Sequence, residues 1–470
     1  MLACANPCSA TLCGDSVGSP VGSARLDRRV SLSDSQPVSP RADELVAAGL
    51  ALAPCGVVPS RHASLGRCEP CRARKSHSSR RCLTTIVSMV YLDYNATTPI
   101  EPRVKEWVVG VLNSVYGNAS SVQHRAGQEA AELVEEARER VASLVKAAPR
   151  SVVFTSGASE AATLAILGAV LARRNSRPSV VVGATEHKAV LAAAGMAAQL
   201  VGGEVRRAPV LRDGRVDLDQ LRTLVDCSTA LVAVMGANNE TGVLAPVRDV
   251  AEICSGAGAW FFCDVTQAVA KSEVDLGSWG VDLAVLSSHK IYGPKGAGAL
   301  VVPREVQRSL VPVFAGGGQE HGLRGGTHDT AAISGFGLAA EIASKELDRD
   351  VAHCCALRDR LVSDLGEMLP DVELVAAGVP RLCNTADLRF VGADADAVMA
   401  SMPDIAVSSG SACQSAVPSP SHVLLAMGYN TTSASECVRF SVGRQTTEEE
   451  ITFAVPRVAE AVARVRALTA

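Results

Sequence analysis

The chain has 470 residues, of which 47% are apolar, and its formal net charge is −4; this length allows roughly two to three domains around a large core. Charges of both signs are mixed along the chain, so the composition gives no case for nucleic acid, and we predict no such partner. The longest apolar run near the N-terminus, residues 45–58, contains Pro54 and is too short to span a bilayer, so we predict no membrane partner.

Residues 1–88 differ from the rest of the chain because they are rich in Ser, Arg, Pro and Cys and lack hydrophobic periodicity. We predict a disordered or targeting extension over this range. An Arg- and Ser-rich extension suits import into a mitochondrion or another organelle; without import, we expect a cytoplasmic protein. Met89 lies directly before the first predicted strand, so a translation start there is the alternative. Seven of the 15 cysteines lie in this range, and the other eight are scattered singly apart from Cys354 and Cys355, which favours free thiols in a reducing compartment.

From residue 90 onward the pattern is that of a globular protein, in which predicted strands and helices alternate. Helices are predicted at residues 128–145, 160–172, 189–200, 218–225 and 247–256. Strands are predicted at residues 151–155, 179–183, 205–209, 230–235, 260–265 and 283–286. Alternation of this kind, with apolar strands, indicates an α/β fold with a mostly parallel sheet and helices on both faces.

The order of elements changes near residue 342. One long charged helix is predicted over 344–369, followed by strands near 372–375, 385–390 and 438–442 and a final helix that begins at a capping box, 447–450. This order predicts a second, smaller α+β domain. We therefore divide the chain into the extension 1–88, a large domain over 106–345, and a small domain made of 89–105 and 346–470.

A lysine follows the last predicted strand of the large domain. Lys290 comes directly after an apolar strand and before a turn containing Gly293, Pro294 and Gly296. A partly desolvated ammonium has a lowered pKa and is a better nucleophile, which suits a Schiff-base lysine that holds an aldehyde cofactor. The alternative is a lysine whose ammonium simply reaches out from the strand end to solvent.

Polar side chains also follow the other predicted strands, where parallel sheets bind ligands. Ala158 and Ser159 open a helix, which suits a phosphate cup or an ordinary helix cap. His187 suits stacking on a ring or proton transfer, or a capping histidine. Asn239 offers amide donors or makes a turn. Asp264 suits pairing with a pyridinium N–H, or capping of the next helix.

One cysteine stands apart from the others. Cys413 lies in residues 408–421, which are small and turn-forming and therefore predict an exposed loop. An exposed cysteine can meet a substrate as its thiolate, whereas a packing cysteine belongs in an apolar run. We therefore treat Cys413 as a candidate catalytic thiol.

Together these segments resemble the cysteine desulfurases, which are class-V members of the fold-type I pyridoxal 5'-phosphate (PLP) enzymes. The resemblance covers nearly all of the chain after the extension and is carried by many collinear motifs. They lie at residues 91–99, 154–160, 185–188, 238–242, 264–267, 288–296, 316–320, 324–327, 408–413 and 439–444. It implies the fold-type I architecture, with a large domain built on a seven-stranded sheet.

The resemblance also implies catalytic roles. Lys290 holds the cofactor as a Schiff base and later moves the substrate Cα proton, and His187 stacks on the ring. Asp264 pairs with the pyridine nitrogen. Arg439 binds the substrate carboxylate, for which a planar guanidinium is well suited. Cys413 accepts the sulfur.

The remaining implied contacts surround the cofactor. Gln267 and Asn239 bond the region of the ring hydroxyl, and Asn239 also faces the substrate. The phosphate is held by Ala158, Ser159, Ser287 and His289, with Thr327 reaching it from a neighbouring subunit. No metal ligands are implied.

The implied activity is conversion of L-cysteine to L-alanine, with the sulfur carried as a persulfide on Cys413 and passed to an acceptor protein, as in iron–sulfur cluster biogenesis. A homodimer is implied as well. The closest alternative is a selenocysteine lyase acting on L-selenocysteine, since residues 238–242 and 418–425 also suit that sister branch. A catalytically silent scaffold relative is a further alternative, and transamination would leave Cys413 without a role.

Overall fold

The computed structural model describes residues 89–409 and 420–469. All of these described residues belong to one compact unit. The predictions for the extension 1–88 lie outside the described residues, and so does the prediction for Cys413, which falls within 410–419.

Strands and helices alternate along much of the described chain, as the periodicity of its apolar residues predicts. The strands are β1 (Val90–Tyr91), β2 (Val152–Thr155), β3 (Ser179–Gly183), β4 (Val205–Ala208), β5 (Thr229–Ala233), β6 (Trp260–Asp264), β7 (Leu283–Ser287), β8 (Gly298–Val301), β9 (Val372–Leu374), β10 (Thr385–Phe390), β11 (Ile405–Ala406) and β12 (Cys437–Ser441). The helices are α1 (Pro102–Ser114), α2 (Arg125–Leu144), α3 (Ala158–Arg173), α4 (Lys188–Val201), α5 (Leu218–Leu224), α6 (Val247–Ala257), α7 (Leu276–Trp279), α8 (Arg304–Gln307), α9 (Thr330–Lys345), α10 (Leu347–Met368), α11 (Ala395–Ala400), α12 (His422–Ala426), α13 (Thr431–Ser435) and α14 (Glu448–Thr469). Short 3-10 turns occur at Pro149–Ser151, Ser288–Lys290 and Glu320–Gly322. Across the two described ranges, no helix is both long enough and apolar enough to cross a membrane.

A seven-stranded sheet, in the order β2-β8-β7-β6-β5-β3-β4, forms the larger layer. Neighbouring strands are parallel except at β8, which runs antiparallel to both β2 and β7. The predicted α/β fold with a mostly parallel sheet is therefore confirmed. The antiparallel β8 follows directly from the turn after Lys290, because a short connection joins antiparallel neighbours whereas a parallel return needs a crossover.

Two apolar cores cover the two faces of this sheet. Alternate residues of a strand point to opposite faces, so Val180 and Val182 pack with α3 and α4, whereas Val181 packs with α2, α6 and α9. Burial on both faces explains why these strands are continuous apolar runs. Polar residues such as Asp264 and Ser287 lie at the carboxyl ends of the strands.

A second sheet, of three antiparallel strands in the order β12-β10-β9, packs against α10 and α14 around its own core. The predicted capping box begins α14: the Thr447 N–H donates to Glu450, and the Glu450 N–H donates to the Thr447 hydroxyl. The short strand β1 pairs in parallel with β11 and brings the first described residues beside this sheet. The domain boundaries given above stay a prediction.

The prediction of one helix over 344–369 is wrong, because the chain forms two helices there. Glu346 interrupts them with φ −108° and ψ 9°, outside the helical region. The first of the two, α9, is absent from the sequence prediction over most of its length. It is rich in Ala and Gly and buried on nearly every side, so it lacks the polar stripe that marks an amphipathic helix.

A buried ion pair joins α2 to the glycine-rich segment 316–326. The guanidinium of Arg138 donates to both carboxylate oxygens of Glu320, at 2.8 and 2.9 Å, and the two side chains are 4% and 1% exposed. Glu320 also accepts from the Phe154 N–H at 2.7 Å and contacts His328 Nε2 at 2.6 Å. Burial alone would raise the pKa of Glu320, but Arg138 and His328 lower it to about 2.

Replacing Glu320 by glutamine is expected to destabilise the protein by about 3–5 kcal/mol, because the Arg138 guanidinium is left buried without its counter-ion. Urea unfolding measures the loss. The contribution of the lowered pKa is present above the ordinary pKa of a glutamate and disappears as pH falls towards about 2. Glu136, which forms an exposed pair with Arg140 on α2, is the control, with an expected change below about 1 kcal/mol. Equal effects of the two substitutions would contradict the prediction.

Candidate active site

A cavity of about 630 Å³ lies at the carboxyl ends of the large-sheet strands, where the strand-end residues were expected to meet. Ten of the twelve predicted site residues line it: Ala158, Ser159, His187, Asn239, Asp264, Gln267, Ser287, His289, Lys290 and Arg439. Thr327 does not line the cavity, and Cys413 lies outside the described residues. The polar side chains that sequence analysis took from separate strands thus share one pocket.

Lys290 enters the cavity from the turn that ends β7. The strand itself is wholly buried, and the 3-10 turn Ser288–Lys290 redirects the chain at its end. The ammonium donates hydrogen bonds to the backbone carbonyls of Asn95 and Ala96, the second at 2.7 Å. Two carbonyl oxygens, rather than bulk water, therefore hold this amine at the pocket wall.

Asp264 ends the neighbouring strand β6. The register of β6 against β7 pairs Asp264 with Val285, so its side chain emerges close to the end of β7. One carboxylate oxygen accepts from the Thr266 N–H at 2.9 Å, which begins the following turn. This bond closes a turn rather than capping a helix, since the next helix, α7, begins only at Leu276, and it leaves the second oxygen available to a ligand in the pocket.

His187 both caps α4 and faces the pocket. Its Nδ1 accepts from the Ala189 N–H at 3.1 Å, so the proton of the neutral ring lies on Nε2. Desolvation lowers the pKa of His187; Asp264 opposes this shift, whereas Lys290 and Lys188 add to it. An uncharged imidazole at neutral pH suits stacking against a flat ring.

The N-terminus of α3 forms a cradle with the end of β7. Gly157 precedes the helix and makes no side-chain cap, so the first-turn N–H groups are not satisfied by a capping side chain. A Cβ placed on Gly157 would lie 3.9 Å from Ser287 Oγ, inside this cradle. Ser159 and His289 line it as well. Helix dipole, hydroxyls and N–H groups together suit a phosphate.

His289 remains neutral in this cradle. Its Nδ1 lies 3.1 Å from the Thr97 hydroxyl. Desolvation, followed by the charges of Lys290, Lys295 and Lys271, lowers the pKa of His289 to about 4. At neutral pH the ring is therefore a hydrogen-bonding group rather than a cation.

Arg439 lines the cavity from β12. One terminal nitrogen donates to Asp93 Oδ1 at 2.6 Å and the other to the Asn239 carbonyl at 2.9 Å. Its Nε is buried and has no hydrogen-bond partner among the described residues. A guanidinium held from two sides in this way keeps donors for a carboxylate ligand.

Several residues that build the site were not predicted from the sequence. Asp93 and Asn95 belong to the segment that follows β1, and Asn95, 1% exposed, bonds Thr385, Asn384 and the Asn239 carbonyl. The sequence does carry a signal for Asp93 and Asn95, because both are polar residues that closely follow a strand. Glu240 and His422 also line the cavity and were passed over.

The family comparison agrees with this geometry. The family model for aminotransferase class-V matches residues 90–453. The chain therefore belongs to the class-V aminotransferase family, whose cysteine desulfurase members are PLP-dependent.

Its similar relatives within that family are cysteine desulfurases. The chain is 49% identical over 393 residues to a cysteine desulfurase of Frankia sp. (strain EuIK1), covering 81% of this chain and 93% of that protein. It is 39% identical over 387 residues to the cysteine desulfurase IscS of Rickettsia akari (strain Hartford), covering 82% and 94%.

Solved structures give the same result. A NifS-like protein is 33% identical with a TM-score of 0.74, over 80% of this chain and all of that one. A NifS-like protein from Rickettsia africae ESF-5 is 30% identical with a TM-score of 0.72, over 80% of this chain and 99% of that one. SspA in complex with cysteine is 30% identical with a TM-score of 0.67, over 76% and 100%. The predicted fold-type I architecture is thereby confirmed.

Proposed function

We propose that this protein is a PLP-dependent cysteine desulfurase that converts L-cysteine to L-alanine and keeps the sulfur as a persulfide. The observation that carries the proposal is the convergence of Lys290, Asp264, His187, the α3 cradle and Arg439 on one cavity. Similarity to cysteine desulfurases over about four-fifths of the chain supports the choice of substrate.

The groups that line the cavity fit PLP one by one. The uncapped N-terminus of α3, with Ser159 and Ser287, suits its phosphate. Asp264 offers a carboxylate to the pyridine nitrogen, and Lys290 offers an amine to the aldehyde carbon. The cofactor, when bound, supplies a conjugated ring that withdraws electrons from the substrate Cα.

The protein's own residues then position the charges and protons. With PLP bound, the Asp264 carboxylate would accept a hydrogen bond from the ring nitrogen and so favour the protonated form of that nitrogen. His187 covers the site with a neutral ring, because its Nδ1 is engaged by the Ala189 N–H. To react, the Lys290 amine has to break its hydrogen bonds to the carbonyls of Asn95 and Ala96. It is then placed to move the substrate Cα proton.

Arg439 binds and orients the substrate through its carboxylate. The Asp93 carboxylate and the Asn239 carbonyl fix the guanidinium plane before substrate arrives, which lowers the ordering cost of binding. Asn239 also lines the cavity, beside Arg439 through its carbonyl, and its side chain is assigned to the substrate as well. This arrangement selects an α-carboxylate and holds the substrate Cα over the reacting centre.

Sulfur transfer is assigned to the thiolate of Cys413. The thiolate attacks the substrate sulfur, the Cβ–S bond breaks, and the electron pair left on carbon takes up a proton, so that alanine and a Cys413 persulfide are the products. Transfer to an acceptor protein, as in iron–sulfur cluster assembly, regenerates the thiol.

A homodimer completes the phosphate site in this proposal. Thr327 is exposed and lies away from the cavity of its own chain, which suits a residue that serves a neighbouring subunit. Val313 and Phe314, on the same segment, are 37% and 51% exposed. A second copy of the chain would cover these apolar side chains.

The deciding experiment is an anaerobic assay of purified protein with L-cysteine, in which alanine and sulfide are measured with a reductant present. Mass measurement of the Cys413 peptide before and after cysteine addition tests the persulfide. L-Selenocysteine is assayed in parallel, and a rate on selenocysteine with none on cysteine would replace the desulfurase by a lyase. Absence of any visible absorption band from bound PLP would refute cofactor binding itself.

Replacing Arg439 by lysine is expected to raise KM for cysteine roughly 10- to 100-fold with a smaller change in kcat, because the charge remains but the planar pair of donors is lost. Steady-state kinetics measures both constants. The control is Arg464→Lys, because Arg464 is exposed on α14. This variant is expected to keep KM unchanged. An unchanged KM for Arg439→Lys would mean that another group binds the carboxylate.

A further inference from the structure

A buried lysine that the proposed mechanism does not use lies behind the pocket wall. Lys271 is 8% exposed, and among the described residues it has no carboxylate partner. The titratable groups acting on it are the thiols of Cys354 and Cys383, and desolvation lowers the pKa of Lys271 to about 8. Burying an ammonium without a counter-ion is costly, so its retention calls for a role.

Both hydrogen bonds of this ammonium go to Gln267, one turn earlier in the chain. Lys271 Nζ donates to the side-chain Oε1 at 3.1 Å and to the backbone carbonyl at 3.3 Å. Gln267 itself lines the cavity. An ammonium is a donor only, so the side-chain oxygen of Gln267 has to face Lys271.

The other end of the Gln267 amide is fixed just as firmly. Its Nε2 donates to the Asn95 carbonyl at 2.9 Å. A backbone carbonyl is an acceptor only, so the nitrogen has to face Asn95. The two neighbours therefore demand the same orientation of the amide, which fixes the positions of its oxygen and its nitrogen.

This amide lies next to the amine of Lys290. The Asn95 carbonyl that accepts from Gln267 also accepts from Lys290 Nζ. The result is a continuous chain of hydrogen bonds from Lys271 through Gln267 to the carbonyl shared with Lys290. An ammonium bound to the amide oxygen polarises the amide and strengthens its N–H donors.

We propose that Lys271 is a positioning residue that holds the Gln267 amide with its N–H donors toward the pocket. The proposal rests on the proposed function. In a pyridoxal ring the hydroxyl oxygen is adjacent to the carbon that carries the aldehyde, so a side chain beside Lys290 faces an oxygen. A donor stabilises that oxygen, whereas the amide oxygen in its place would repel it.

The test is a double-mutant cycle between Lys271→Met and Gln267→Leu, read out as PLP affinity. Cofactor is removed from the purified protein and titrated back, and the dissociation constant and visible band of each variant are recorded. Lys271→Met alone is expected to weaken PLP binding roughly 3- to 10-fold, the size of one intramolecular hydrogen bond, and to shift the band. Lys271→Gln, which keeps a neutral donor, is expected to weaken it less.

In the Gln267→Leu background, Lys271→Met is expected to add no further loss and no further band shift. Equal losses in both backgrounds, or no loss in either, would overturn the proposal. If Lys271→Met does not fold, the same cycle is run with Lys271→Gln. A loss of PLP affinity that occurs only when Gln267 is present supports the proposal. An equal loss in both backgrounds, or no loss, contradicts it. Failure of the unaltered protein to bind PLP would instead overturn the proposed function.

Discussion

Replacing Lys290 by alanine is expected to abolish alanine formation from cysteine and to remove the covalent attachment of PLP. The amine is both the attachment point and the proton carrier of the proposed mechanism, and a positioned proton-transfer group alone contributes roughly 10²- to 10⁴-fold. Steady-state turnover and the visible absorption spectrum measure the two losses. Reduction with borohydride followed by peptide mass analysis locates the attachment directly.

Lys105→Ala is the matched control, because Lys105 is an exposed lysine on α1 that does not line the cavity. It is expected to keep both turnover and spectrum. A Lys290→Ala protein that retained a borohydride-stable cofactor and ordinary turnover would show that a different amine attaches PLP. The proposed roles of Asp264 and His187 would then fail as well, since both are argued from their place beside Lys290.

Replacing Cys413 by alanine is expected to eliminate sulfide release and alanine formation while leaving PLP binding intact. Without a thiolate to accept sulfur, the substrate can bind and change the visible spectrum but cannot lose its sulfur. In the unaltered protein, the peptide that contains Cys413 is expected to gain the mass of one sulfur atom after cysteine is added. The corresponding peptide of Cys413→Ala is expected to show no such gain. Sulfide assay, spectroscopy and peptide mass together separate binding from sulfur transfer.

Cys227, an exposed thiol, provides the control substitution for Cys413. Cys227→Ala is expected to leave sulfide release unchanged, since nothing places it near the cavity. Sulfide release from cysteine that survived in Cys413→Ala would refute the assigned sulfur acceptor. Loss of turnover on cysteine with full turnover on selenocysteine would point to the lyase chemistry that the sister branch performs, because selenide is the easier leaving group.

Strand-end residues were predictable because their signals are local. Asp264 and Lys290 each follow an apolar strand, and parallel strands deliver their carboxyl ends to one edge of the sheet. His187 follows the same rule at the end of β3 and the start of α4. Reading each strand end separately left a capping role open for His187, and the structure shows that it caps the helix and faces the pocket at once.

Residues whose roles depend on distant partners were not predictable in this way. Asp93 meets Arg439 across 346 positions of sequence, and no local pattern marks that pairing. No sequence pattern drew attention to Lys271, because its burial depends on residues distant in the chain. The helix α9 was not predicted for a related reason. It is buried on almost every side, so its sequence lacks the alternation of apolar and polar residues that marks an amphipathic helix.

The placement of the first described residues limits how the protein can be shortened. Asp93 supplies the counter-ion of Arg439, and the backbone of Asn95 and Ala96 supplies the acceptors for Lys290. A protease that cut immediately before Met89 would leave all of these groups attached. A cut a few residues later would remove Asp93 and the residues that hold Lys290. An affinity tag with a cleavage site therefore belongs upstream of Met89.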